Sequence, residues 1–318
     1  MTSFARFPVL VASVIGLVIG CSASPSLAWW DGGHMQIAYV AYKQLDQPVK
    51  NKVDILLRLN PDYPKWTAGI TDRKTAKLYA FVHAATWADD IKTKEYNYTR
   101  DKVDSRRLAR TSGMPTGTSI LTGTLRTSTS RRTGWRCRRP ASVDLVTQLN
   151  LMMAVLPAAS GASDDVRSYD LVWILHLVGD AHQPLHGIGR FTQQIPNGDA
   201  GGNAEQVIPA NGKPMALHAC WDSIFGGYVS PAGAIFDAED KEGLDNQDVS
   251  DAAAKIADPL KWIEESAEVA KEYVYVAPVS LGKNPVLLTR ETNARNIALS
   301  RAALAAARLA NLINNALR

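Results

Sequence analysis

The sequence predicts an all-α fold made of one multi-helix domain. Apolar residues recur three and four positions apart in several segments, which is the pattern of helices that bury one face. The longest such segment, 289–318, contains neither Gly nor Pro. Gly and Asn cluster near 197–203 and 226–233 and predict loops there.

Four segments carry the helical pattern. They are 34–45, 143–156, 168–182 and 289–318. Within the third, Leu171, Leu175 and Val178 repeat at helical spacing, which predicts a buried helix. The content of 46% hydrophobic and 21% charged residues is ordinary for a soluble globular protein.

Residues 1–28 are predicted to be an export signal. Arg6 supplies a positive start, 7–19 form an apolar run too short to span a bilayer, and 26–28 form a small-residue cleavage site. Cleavage after Ala28 leaves 290 of the 318 residues, enough for one large domain, exported to the periplasm or the medium. An alternative stays open, because 18–21 resemble a lipobox that would place a lipidated Cys21 at the terminus.

Two His-x-x-x-Asp pairs are the most informative feature of the chain. They are His176 with Asp180 and His218 with Asp222, and His186 follows the first pair closely. Residues i and i+4 share one face of a helix, so each pair can present an imidazole and a carboxylate to one ion. Nitrogen and oxygen donors without thiolate suit catalytic zinc.

Trp29 and His34 add a further candidate grip on a metal ion. Cleavage after Ala28 would make the Trp29 amine a nitrogen ligand near neutral pH. His34 follows five residues later, after Gly32 and Gly33, which let the backbone turn tightly.

These residues together resemble the three-zinc, single-strand-specific nucleases and 3′-nucleotidases of fungi, plants and bacteria. The matching positions are Trp29, His34, Trp87-Ala88-Asp89, the block 176–186, Gly201-Gly202-Asn203 and the segment 218–222. The resemblance covers almost all of 29–318 and implies the all-α fold of the zinc-dependent nuclease and phospholipase C type.

The resemblance implies three zinc ions with distinct ligand sets. The first would be held by Asp89, His176 and Asp180, the second by Trp29, His34 and Asp180, and the third by His186, His218 and Asp222. Asp180 would bridge the first two, and a bridged pair can lower the pKa of a shared water molecule. The resemblance thus implies that Asp89, Lys92 and Asp180 are the catalytic residues.

Two further residues take substrate roles from the resemblance. Lys92, where the family more usually has Arg, would stabilise negative charge on the phosphate, although it lacks the bidentate guanidinium. Asn203 resembles the family's substrate-contacting Asn. The implied activity is endonucleolytic hydrolysis of single-stranded DNA and RNA to 5′-mononucleotides, with 3′-nucleotidase activity, by a monomer without a stable protein partner.

The segment 105–141 departs from the family pattern. It holds nine arginines and no Lys, Asp or Glu, and no histidine occurs between His83 and His176, where the family has a further zinc ligand. Two compensating frameshifts or a genuine basic insertion explain this composition, and both stay open. Without these arginines, the net charge of +4 becomes −5, so charge does not argue for nucleic-acid binding.

Two other functions remain open at this stage. A zinc-dependent phospholipase C shares the helical three-zinc site, but the short Trp29-to-His34 spacing and the closing Asp222 speak against it. The altered segment 105–141 could instead leave an inactive zinc-binding protein. A disulfide between Cys137 and Cys220 is also open, although packing is the preferred role for Cys220.

Overall fold

Helices form most of the computed structural model, which confirms the all-α prediction. They are α1 (Asp31–Lys43), α2 (Gln47–Leu57), α3 (Tyr63–Trp66), α4 (Arg73–Ala84), α5 (Trp87–Asp90), α6 (Leu145–Val155), α7 (Asp164–His182), α8 (Leu217–Asp222), α9 (Pro231–Glu239), α10 (Asp251–Ala254), α11 (Pro259–Val269) and α12 (Glu291–Leu317). A 3-10 turn, Pro184–His186, follows α7, and a π-helical turn, Ala270–Val274, follows α11.

The structure describes part of the chain. The described residues are 29–91, 134–136, 144–191, 195, 198–209, 212–228, 230–276, 279, 286–287 and 291–318. Outside them lie the predicted signal with Cys21, Lys92, Cys137, and 105–141 apart from 134–136. In the described part, no helix is both long enough and apolar enough to cross a membrane.

All four predicted helices are observed, with shifted ends. The largest shift is in α7, which begins at Asp164 rather than at Ser168. Asp164 and Asp165 occupy its first turn, where carboxylates interact favourably with the helix dipole. The predicted loop 226–233 is wrong in its last part, because Pro231 starts α9, and proline is favoured in the first turn of a helix.

Five short strands in the described part of the chain were not predicted. β1 (Gly134–Arg136) pairs antiparallel with β2 (Gly189–Phe191). β3 (Gln206–Ile208) pairs antiparallel with β4 (Met215–Ala216) and parallel with β5 (Val286–Leu287). β4 leads directly into α8, so this small sheet fixes where α8 begins.

The core lies between α1, α7 and α12. Buried leucines and alanines of α12 pack against both partners. A partly buried ionic network joins these helices: Arg308 of α12 donates to Glu265 at 2.7 and 2.8 Å and to Nε2 of His182 at 3.0 Å. The carboxyl end of α7 is thereby held against α12.

Candidate metal centre

Three helices bring the first group of candidate ligands together. His34 of α1 and His176 and Asp180 of α7 are fully buried, and one donor atom from each lies within 4.8 Å of the others. Asp180 Oδ1 lies 3.3 Å from His34 Nε2, and its Oδ2 lies 3.5 Å from His176 Nε2. Asp89 Oδ1 of α5 lies 3.7 Å from the same His176 nitrogen. These four residues are called the paired cluster below.

Helix packing sets the geometry of the paired cluster. Gly179 lets the His34 ring approach α7, since a Cβ there would lie 2.9 Å from His34 Nδ1. The rings of His34 and His176 stack with centroids 3.9 Å apart. His176 Nδ1 lies 2.9 Å from the Ala85 carbonyl oxygen, so Nδ1 carries the proton and Nε2 presents its lone pair to the cluster.

The second group is built from less regular backbone and is called the single cluster. It consists of His186 in the 3-10 turn after α7, and His218 and Asp222 at the two ends of one turn of α8. His218 Nε2 lies 3.2 Å from His186 Nε2 and 3.5 Å from Asp222 Oδ2. All three residues are at least 97% buried.

A tight loop orients His218 within the single cluster. His218 Nδ1 donates to the Gly201 carbonyl oxygen at 2.7 Å, which leaves Nε2 for the cluster. Gly201 has a φ of +65° and donates its own N–H to Asp199 at 3.1 Å. A Cβ at Gly201 would collide with the Leu185 carbonyl oxygen, so both the backbone conformation and the close approach require glycine.

The distances fit two metal-binding centres. Two ligands of a tetrahedral ion that binds each at about 2.0–2.1 Å lie roughly 3.3 Å apart. The donor pairs in both clusters are separated by 3.2 to 3.7 Å, longer than most hydrogen bonds. Nitrogen and carboxylate donors in this arrangement fit zinc.

Carboxylates crowd the paired cluster. Burial, followed by the Asp89 carboxylate, raises the pKa of Asp31, which begins α1 three residues before His34. Burial, followed by the Asp31 carboxylate, raises the pKa of Asp90 to about 6. The sequence assigned no role to either residue, and only the folded structure, which brings the start of α1 near α5, reveals their repulsion. A cation would relieve it.

The single cluster is also prepared for a cation. Burial lowers the pKa of His218 to about 4, so its imidazole is neutral at physiological pH and can bind a metal. Burial raises the pKa of Asp222 well above its usual range, while a hydrogen bond from Gln183 opposes this rise.

The remaining predicted residues have different outcomes. Trp29 is fully buried and its indole donates to the Gly179 carbonyl oxygen at 3.1 Å. Asn203 donates to the Ala200 carbonyl oxygen at 2.8 Å within the loop that holds His218. Lys92 lies outside the described residues. Cys220 is half-buried and packs against the core.

His182 and His83 stand apart from both clusters. His182 Nδ1 lies 2.8 Å from the Val178 carbonyl oxygen, and its Nε2 accepts from Arg308, so His182 anchors α12. Burial lowers its pKa well below the usual range. His83 is a half-buried residue of α4.

The family comparison agrees with this architecture. A model of the S1/P1 Nuclease family matches residues 29–318, from the buried Trp29 through both clusters to the end of α12. No individual protein with a curated description matches the chain. The chain therefore belongs to the S1/P1 nuclease family and is a hydrolase that acts on phosphodiester bonds of nucleic acids.

Proposed function

We propose that this protein is a zinc-dependent nuclease that cleaves single-stranded DNA and RNA to 5′-mononucleotides and removes phosphate from 3′-nucleotides. The observation that carries the proposal is the spacing of buried imidazole and carboxylate donors, 3.2 to 3.7 Å apart around two centres. Zinc ions held there would lower the pKa of bound water and supply hydroxide near neutral pH.

Each residue of the paired cluster has a distinct part in this proposal. Asp180 offers Oδ1 toward His34 and Oδ2 toward His176, so one carboxylate can bridge two ions. The hydrogen bond from His176 Nδ1 to the Ala85 carbonyl oxygen orients the ring so that Nε2 points to the cluster. Asp89 would add a third donor to the first ligand set beside His176, a set that lacks the further histidine of the family.

The single cluster and its surroundings would bind the leaving-group side of the phosphodiester. His186, His218 and Asp222 would bind the third ion, which stabilises the departing 3′-oxygen. Lys92 and Asn203 remain the proposed phosphate and substrate contacts. Trp30 is 37% exposed, and its backbone N–H donates to the Asp222 carbonyl oxygen at 2.9 Å, so its indole can stack on an unpaired base.

Export and the amino-terminal ligand belong to the same proposal. The family match begins at Trp29, which supports cleavage after Ala28 and export to the periplasm or the medium. A Trp29 amine would then join His34 and Asp180. Adding one residue before Trp29 should empty that site and lower activity sharply, whereas equal activity of both forms would contradict a role for the amine.

The decisive experiment compares substrates on one preparation of the mature chain. We expect hydrolysis of single-stranded DNA and RNA to exceed that of duplex DNA, to stop with EDTA and to return with Zn²⁺. Release of phosphate from 3′-AMP tests the nucleotidase activity. Faster hydrolysis of phosphatidylcholine than of single-stranded DNA would favour phospholipase C, and zinc binding without any hydrolysis would favour the inactive protein.

A further inference from the structure

All four polar groups of Gln183 form hydrogen bonds, and these bonds connect the two clusters. Its backbone N–H donates to the Asp180 carbonyl oxygen at 3.1 Å, and its carbonyl oxygen accepts from the His186 N–H at 3.1 Å. Its side-chain Nε2 donates to Asp222 Oδ1 at 2.6 Å, and its Oε1 accepts from the Leu185 N–H. Three of these partners belong to candidate metal-binding residues.

The hydrogen bond from Gln183 gives the two oxygens of the Asp222 carboxylate different partners. Asp222 Oδ1 accepts a hydrogen bond from the Gln183 amide. Asp222 Oδ2 lies 3.5 Å from His218 Nε2, on the side of the single cluster. Gln183 and Asp222 are both buried, so water cannot substitute for the amide. The direction of the amide is also fixed, because the Leu185 N–H requires an acceptor and Asp222 requires a donor.

We propose that Gln183 is a positioning residue for the single cluster. Its carboxamide reserves Asp222 Oδ2 for the ion and ties that carboxylate to the end of α7, which carries Asp180. This inference rests on the proposed zinc-dependent function. It is tested by metal affinity, which is measured apart from catalysis.

The test compares Gln183→Met and Gln183→Glu with the matched control Gln148→Met. Gln148 is also buried, on α6, and its side-chain oxygen has no hydrogen-bond partner among the residues described. Zinc per chain is measured across buffered Zn²⁺ concentrations, together with the absorption spectrum after Co²⁺ substitution. Removal of an outer-shell partner typically weakens metal binding by about 10- to 100-fold.

We expect Gln183→Met to weaken the binding of one ion, the one at the single cluster, by that factor. The affinity for the other ions should stay unchanged. Gln183→Glu should weaken the same ion more, since it brings a second carboxylate against Asp222. The control should match the parent chain. Should the larger changes impair folding, Gln183→Asn keeps the polarity, is too short to reach Asp222, and should show the same selective loss.

Three outcomes would overturn the inference. Unchanged affinity in the Gln183 variants would refute it while the proposed function stands. Equal weakening of all ions would reduce Gln183 to a general structural role. A parent chain that binds no zinc would refute both proposals, whereas a parent that binds zinc without hydrolysing nucleic acid loses only the proposed activity.

Discussion

The paired cluster and the single cluster use similar ligands but are held in different ways. The paired cluster is carried by α1, α5 and α7, and close helix packing at Gly179 brings its rings together. The single cluster lies on a 3-10 turn and one short helix, and outer-shell hydrogen bonds orient it. Changes in helix packing should therefore disrupt the paired cluster. Loss of a hydrogen bond or strain in a loop should disrupt the single cluster.

The largest effect is expected from Asp180→Asn. Asp180 faces both His34 and His176, so its loss removes a charge shared by two proposed ions. Activity on single-stranded DNA should fall by on the order of 10³-fold, because the two ions that we propose to bind there would supply the hydroxide nucleophile. Steady-state kinetics with saturating Zn²⁺ checks this. Asp180→Asn with more than a tenth of parental activity would show that the paired cluster is not the reacting centre.

Gly201→Ala should disable the single cluster alone. The new Cβ would meet the Leu185 carbonyl oxygen and displace the loop that accepts from His218. We expect one zinc per chain to be lost and activity to fall by about 10- to 100-fold. Zinc content and kinetics of the purified variant provide the measurement.

Gly212→Ala is the matched control for that strain. Gly212 has a φ of +82°, but among the described residues no atom lies within 4 Å of a Cβ there. The control should lose about 1 kcal/mol of stability from the left-handed conformation and retain all of its zinc. Zinc loss in both variants would mean that strain, rather than displacement of the His218 acceptor, is responsible.

Gly179→Ala should separate metal binding from stability. Alanine favours the interior of a helix by up to about 1 kcal/mol over glycine, but its Cβ would push against the His34 ring at 2.9 Å. Zinc affinity of the paired cluster should fall by roughly 10-fold, as for other losses of ligand orientation. Because the gain in helix propensity and the clash with His34 oppose each other, the metal-free protein should unfold close to the parental temperature. Unchanged affinity would mean that α1 shifts to accommodate the methyl group.

Asp170→Asn has the smallest expected effect on activity and tests a buried carboxylate outside both clusters. Asp170 lies on α7 with Asp180, is fully buried, and neither of its oxygens has a hydrogen-bond partner among the described residues. Burial raises its pKa from 3.8 to about 7. Ionisation of the buried Asp170 therefore lowers the free energy of unfolding. This loss is absent below pH 3.8, grows as the pH rises toward 7, and is constant above that.

Asp170→Asn should thus raise the melting temperature by a few degrees at pH 8 and change it little at pH 4, with or without EDTA. A gain of about 2 kcal/mol corresponds to roughly 4–8 °C in a protein of this size. Thermal unfolding at the two pH values is the measurement. An equal change at both values would contradict the burial of an ionised Asp170.

The candidate site was largely predictable because its signals are local. The spacing of His176 and Asp180 on α7, and of His218 and Asp222 on α8, places each pair on one face of a helix. The role of Gln183 was not predictable, since its sequence position beside His182 does not reveal that its amide meets Asp222, 39 residues away. The short strands were also missed, because pairings of two or three residues carry too little periodic pattern.

By itself the sequence determined the helical class, four of the helices and the residues that form the two His-x-x-x-Asp pairs. These properties follow from side-chain spacing along one segment of chain, which a helix converts directly into a common face. Only the tertiary structure decided which donor atoms meet and which ring nitrogen of His176 and of His218 faces its cluster. It also set the cost of burying Asp31, Asp90 and Asp170. Those properties depend on contacts between segments far apart in the chain, where burial and neighbouring charges set the free energy of each group.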